Sequence, residues 1–314
     1  MKTLLFLLGL IAWNAAAQEP PFPQRGPIEI TVLFPAGSSA DVTARILAEG
    51  LSRQLGQRVL VVNRPGAGGA IGYKHVAAQK PDGYALVWNS NSISTTHHSG
   101  QLDFDYRAFD PVGRVLVESP ILAVRADSRW KTMGDFVADA KARPREVSVG
   151  HSGIGSHTHI SLVAFVRAAG IEVNEIPFGA AQVVPSLSGG HVDALVQLPA
   201  ALAGQVKQGS VRILATMIPE RDPAMRDVPT AREQGVDVSL EAWRGLAVPR
   251  GTPPAVIAAL EAATRRVTES AEFAKQGEIL GIRPSFLGAG EFGDLIAKED
   301  AALARLMQQI GLKK

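Results

Sequence analysis

Three short stretches of small residues are places where backbone rather than side chains could do chemistry. They are Pro35-Ala36-Gly37-Ser38-Ser39-Ala40-Asp41, Pro65-Gly66-Ala67-Gly68-Gly69-Ala70 and Ser152-Gly153-Ile154-Gly155-Ser156-His157. The first N–H groups of a helix have no intrahelical partner, and the helix dipole adds roughly half a positive charge there. A stretch of this kind opening a helix is therefore ready to receive an anion, and small side chains let the backbone come close to it. One such loop reads equally well as a tight turn; three in one chain argue for a site. Contacts are expected from Ala36 to Ser39, from Gly66 to Gly68, and from Ser152, Gly155, Ser156 and His157. Asp41 falls in a first helical turn, where it either braces its loop or meets a ligand amine or hydroxyl. Asn89, Ser90 and Asn91 bring polar groups to the end of a strand-like run. Trp243 either stacks on a ligand or packs structurally.

Other chemistries fit less well. Gly66-x-Gly68 invites a dinucleotide reading, but Ile71 takes the third glycine position and no acidic residue closes the next strand to hold a ribose. No Walker sequence is present. Ser156 adjoins His157, yet no G-x-S-x-G elbow surrounds it, and a serine there suits a helix N-cap. His151, His157 and His159, or His97 and His98, show no familiar metal-ligand spacing. No catalytic residue, metal or cofactor is therefore expected.

The elements that must position these loops follow from periodicity. Residues 28–34 form an apolar β-rich run, and 41–55 carry apolar positions at helical spacing closed by Gly56. A strand at 59–62, a helix at 70–79 and a strand at 84–88 complete a βαβαβ alternation. After a strand-like stretch at 113–126, the alternation restarts. Helices are expected at 132–142, 156–169 and 180–188, and strands at 147–150, 172–176, 192–197 and 211–217. A further strand-like run covers 238–248, and helices follow at 253–269 and 290–309. This predicts an α/β protein of two lobes, each a mainly parallel sheet flanked by helices. Residues 18–122 with 243–314 make the first lobe and 123–242 the second, with crossings near 119–125 and 239–247.

Composition bounds the rest. The chain has 314 residues, a net charge of +2, 46% hydrophobic residues and no cysteine. That balance implies neither nucleic acid nor a membrane surface, and disulfides and thiolate metal sites are excluded. Lys2, the apolar run from Leu4 to Ile11 and Ala15-Ala16-Ala17 form a secretory signal, with cleavage expected after Ala17. The run is too short to span a bilayer, which takes about 20 residues. A soluble periplasmic monomer is expected.

Several motifs, in order, give the chain a family likeness. They include Pro35-Ala36-Gly37 with Asp41 and Ala44-Arg45, Asn63-Arg64-Pro65-Gly66-Ala67-Gly68-Gly69, Pro81-Asp82-Gly83-Tyr84 and Phe109-Asp110-Pro111-Val112. Later come Ala140-Lys141-Ala142-Arg143-Pro144, Gly189-Gly190-His191-Val192-Asp193 and Trp243-Arg244-Gly245-Leu246 leading to Pro249-Arg250-Gly251-Thr252-Pro253. In these the chain resembles the Bug family, the substrate-binding proteins of tripartite tricarboxylate transporters. The resemblance implies a type II periplasmic-binding-protein fold that closes on a small organic carboxylate through backbone amides and ordered waters. It also implies delivery to a membrane permease with a large and a small integral subunit, and it adds Phe178, Gly179, Ala180 and Asp193 to the expected site. Ser38 stands where the family usually has glycine, and Phe178-Gly179-Ala180 where a Tyr and a basic residue usually precede Gly-Ala. A less charged wall follows, favouring a monocarboxylate or aromatic acid over citrate, and the three loops could hold a carboxylate without a single arginine. A ligand sensor using the same cleft, and a hydrolase using Ser156 or a histidine metal site, are the alternatives.

Overall fold

The computed structural model describes residues 21–178 and 182–313. The expected secretory signal, Gly179 and Ala180 lie outside the described residues.

In chain order, β1 (Ile28–Val32) leads to α1 (Ser39–Leu55), β2 (Val59–Asn63) to α2 (Ala70–Ala77), and β3 (Ala85–Ser90) to α3 (Ser92–His98). Next come β4 (Phe109–Glu118), β5 (Ile121–Arg125), α4 (Met133–Ala142), β6 (Ser148–His151), α5 (His157–Ala169) and β7 (Asn174–Pro177). They are followed by α6 (Val183–Ser188), β8 (Ala194–Gln197), α7 (Ala203–Lys207) and β9 (Val211–Thr216). The chain returns through β10 (Ala242–Pro249), α8 (Pro254–Thr268), α9 (Ala271–Leu280), β11 (Arg283–Gly288) and α10 (Ala289–Gln309).

Two sheets result, ordered β11-β4-β10-β3-β1-β2 and β7-β6-β8-β5-β9. β1 pairs in parallel with β2 and β3, and β6 with β7 and β8, as βα alternation requires. The strands entering from the other lobe, β10 and β5, run antiparallel to their neighbours. Both sheets are thus mixed, although four of six strands in the first and four of five in the second point one way. Ile121 and Leu122 pair with Gln197 and Val196 of the second sheet, so the chain changes sheets at Ser119-Pro120. On its return, Ala242 pairs with Glu118, which sets the two crossings side by side.

Each lobe has its own core. Ile30, Leu47, Leu86, Trp88 and Leu246 anchor the first, and Val124, Phe136, Val149, Phe165 and Val196 the second. α1 and α5 obey the expected punctuation. Ser38 and Ser156 cap their N-termini with side-chain oxygens, and Gly56 and Gly170 close them in the left-handed conformation. α3, with sequence SISTTHH, has no apolar stripe to announce it, and its Ser92–Thr96 portion is nonetheless buried. α9 and β11 also escape periodicity, since β11 is a partly buried edge strand with a broken register.

Candidate ligand-binding cleft

The loops after β1 and β6 meet at the C-terminal ends of their strands, where parallel α/β sheets place ligands. They face one cavity of about 260 Å³ between the lobes. The first loop contributes Ala36, Gly37, Ser38, Ser39 and Ala40; the second lobe contributes Ser152, Ser156, His157 and Thr158.

The first loop is held from behind. One Asp41 carboxylate oxygen accepts from the Gly37 N–H at 3.0 Å. The other accepts from Asn63 Nδ2 at 2.9 Å and is paired with Arg45 at 2.8 Å. Burial alone would raise the Asp41 pKa, but the hydrogen bonds from Arg45, Gly37 and Asn63 outweigh it and leave the carboxyl below its ordinary range. Asp41 is therefore a brace, and Gly37, whose φ is +80°, serves the turn rather than offering its amide. Ser38 N–H is spent on Pro35 O at 3.1 Å. The donors left at the head of α1 are the first-turn amides of Ser39 and Ala40. α5 repeats the pattern, with the Ser156 hydroxyl accepting from His159 N at 3.2 Å and the first-turn amides of His157 and Thr158 at the cavity.

The glycine-rich loop after β2 is set apart. Gly66, Ala67 and Gly68 line an adjoining cavity of about 340 Å³ together with Ser152, Gly153, Ile154 and Phe178. A Cβ on Gly68 would lie 2.9 Å from Ile154 O, so this glycine permits the close approach of the two lobes. Gly155 works similarly. Its carbonyl accepts from Thr95 of the first lobe at 2.5 Å, its N–H donates to His159 Nδ1 at 3.2 Å, and it does not face the ligand cavity.

Two further residues sit elsewhere. Asn89 is buried behind the sheet, where its side chain accepts from Tyr73 at 2.8 Å, because alternation along β3 turns it away while Ser90 faces the cleft. Asp193 accepts from both Ser148 N and Oγ, at 2.9 and 2.6 Å, tying β6 to the start of β8 on another face of the lobe. Trp243 is buried, donates to Glu299 at 2.5 Å and packs edge-on against Phe292 at 5.0 Å, while also bordering the cavity.

Arg244, which the sequence reading did not single out, adds a cation to a cleft whose loops could serve a carboxylate alone. Among the described residues it is the one charged side chain that lines the cavity, and it is 4% exposed. Its Nε donates to Glu118, fully buried, at 2.9 Å, and the other Glu118 oxygen accepts from the Ser39 hydroxyl. A lone cation in the apolar run of β10, and a lone acid at the end of β4, were the signals in the sequence: buried charges are rarely unpaired. Ser92 and Gln197 also reach the cavity, as do Val183, Val184, Pro185 and Leu198 as an apolar wall.

His157 and His159 make ring hydrogen bonds, with Ser161 Oγ and Gly155 N. His151, His159 and Glu175 each bring one ligating atom within 4.8 Å of the others. His159 Nδ1 accepts from Gly155, so its Nε2 carries the proton and faces Glu175 at 3.7 Å. A protonated Nε2 has no lone pair for a metal. Burial foremost drives the pKa of His151, His157 and His159 down to about 4 in each case, with the charges of His159 and Arg244 assisting at the first two.

Residues 43–312 match the family described as the tripartite tricarboxylate transporter family receptor. The chain belongs to that family. It is 30% identical over 323 residues to protein BugT of Bordetella pertussis, covering 100% of this chain and 99% of that one. The periplasmic binding protein BugD superposes with a TM-score of 0.88 at 27% identity, over 93% of this chain and 100% of BugD. An R. palustris protein solved with adipate gives 0.88 at 26% identity, over 92% and 98% of the two chains. The protein is thus a solute-binding protein of the tripartite tricarboxylate transporter family, with that family's two-lobed α/β fold.

Proposed function

We propose that the protein captures a small organic carboxylate in the periplasm and delivers it to a membrane permease with a large and a small integral subunit. The observation that carries this reading is the convergence on one cavity of two capped helix N-termini and the Arg244 guanidinium. Each favours negative charge for a separate physical reason, the helices through unpaired amides and dipole, Arg244 through its formal charge. The family supports a transport role, and the adipate-bound neighbour supports a carboxylate ligand. Among the described residues no helix is long and apolar enough to cross a membrane. A signal cleaved after Ala17 and a monomeric carrier complete the proposal.

The lobes would open by rotation about the paired crossings at Ser119-Pro120 and Ala242. Closure would then seal the acid between Ser39-Ala40 on one side and His157-Thr158 on the other. The test is mass spectrometry of the small molecules that copurify with the protein, followed by thermal shift with each acid found and with its neutral amide. Stabilisation by the acid and not by the amide is expected; equal stabilisation by both would overturn the reading.

A further inference from the structure

A separate cavity of about 220 Å³ lies within the first lobe, between α10 and the strands β3, β4 and β10. It shares no lining residue with the inter-lobe cleft. Phe109, Ala247 and Ile296 give it apolar walls and are at most 5% exposed. The one buried polar side chain that reaches it is Asn89, 2% exposed.

Asn89 brings a donor to this cavity. Its Oδ1 accepts from Tyr73 Oη at 2.8 Å and from Ser90 N at 2.9 Å, and because a backbone N–H can only donate, the orientation of the amide is fixed. Nδ2 is left without an acceptor among the described residues, yet it is not one of the polar atoms sealed away from solvent. Such a donor calls for an acceptor inside the cavity. A charged group pressed between apolar walls against one neutral amide would lose its hydration uncompensated, so the acceptor that fits is a neutral oxygen.

The solvent end differs. The Arg107 and Arg250 side chains border the cavity there, 69% and 68% exposed. Arg107 pairs with Asp105 at 3.2 Å, and Arg250 Nη1 donates to Arg107 O at 3.2 Å. Asp110 lies 4.0 Å from Arg250 Nε and accepts from Gly251 N at 2.7 Å. A guanidinium carries five N–H groups, more than these partners use, and two arginines outweigh Asp110 in the lining. This mouth suits an anion.

We propose that the crevice is a second small-molecule site, which takes a keto acid whose ketone is remote from its carboxylate. The ketone oxygen accepts from Asn89 Nδ2, the methylenes lie against Phe109, Ala247 and Ile296, and the carboxylate sits at Arg107 and Arg250. The site goes beyond the carboxylate reading of the cleft and does not depend on it. Ser90, whose N–H Asn89 holds, faces the cleft, so the two sites meet through adjacent residues of β3.

Nuclear magnetic resonance titration of the ¹⁵N-labelled whole protein with 5-oxohexanoate tests this, read at the Asn89 side-chain amide. Asn89→Asp, which keeps an acceptor for Tyr73 and Ser90, identifies that signal by its loss. A saturable shift is expected, with an affinity about fivefold above that of hexanoate, which has no inner acceptor. Arg107→Ala combined with Arg250→Ala should weaken it by about threefold, the scale of exposed ionic contacts. Should Asn89→Asp fail to fold, a crystal soaked with 5-oxohexanoate reads the same contact, with the ketone oxygen within hydrogen-bond reach of Nδ2. An Asn89 amide that does not move, or water alone on Nδ2 in the soaked crystal, overturns the assignment. So does hexanoate binding here as tightly, or a shift that keeps its full affinity in the double variant. 5-Oxohexanoate bound only between the lobes overturns this site and leaves the carboxylate reading of the cleft standing.

Discussion

The Thr95 hydroxyl donates to the Gly155 carbonyl at 2.5 Å, joining α3 of the first lobe to the loop that opens α5 in the second. Gln101 Nε2 adds a parallel bond to Ile154 O at 3.2 Å. These contacts exist only while the lobes are together, and they lie beside the cleft rather than within either core. Thr95→Val, which keeps shape and loses the donor, should therefore weaken ligand binding by about twofold to tenfold. Titration calorimetry measures it, and small-angle scattering should show a more open average shape. Unchanged affinity would show that the bond has no part in closure.

Glu118 and Arg244 make the complementary case, a buried pair whose removal is felt by the fold. Glu118→Ala leaves the guanidinium without its counter-charge and should cost about 3–5 kcal/mol of stability in urea denaturation. Glu118→Gln keeps an acceptor and should cost less.

Asp41 supports the first loop without facing the ligand. Asp41→Ala strands the Gly37 amide and leaves Asn63 Nδ2 with Phe34 O alone, and should lower stability by about 2 kcal/mol while weakening binding. Because the folded carboxyl titrates below its ordinary value of 3.8, the stability it adds is complete above that pH. It is lost as pH falls through the lower folded value.

The three buried histidines set the behaviour in mild acid. Each has a folded pKa of about 4 against 6.5 when unfolded. The unfolded chain binds protons first, so stability is full above pH 6.5 and declines as pH falls from 6.5 towards 4. The slope is roughly 1.4 kcal/mol per pH unit for each histidine. Denaturation midpoints measured across that range should fall steadily, and replacing any one of the three by a neutral residue should flatten the decline by a third.

The two-lobe α/β plan was legible because βα alternation and the serine and glycine caps are local signals. Ser38, Ser156, Gly56 and Gly170 all act as their residue types suggest. The loops' small residues pointed correctly to helix N-termini, but they could not say which amides are spent internally, as Gly37's is on Asp41. Nor could they separate glycines that line a ligand cavity from glycines that let lobes touch, such as Gly68 and Gly155. Arg244 was hidden for a different reason. Its role depends on Glu118, 126 residues away in the chain, and pairing across a sheet leaves no local periodicity. α3 was missed because tertiary contacts, not an apolar stripe, bury it.

The central claim is that an organic carboxylate sits between the two helix N-termini. A crystal structure of the protein with its copurifying or tightest-binding acid tests that most directly. The account predicts carboxylate oxygens within hydrogen-bond reach of the Ser39 or Ala40 amide and of Arg244, with the lobes closed over them. An acid bound outside this cavity, or bound within it with its carboxylate turned to the Val183–Leu198 wall, would contradict it.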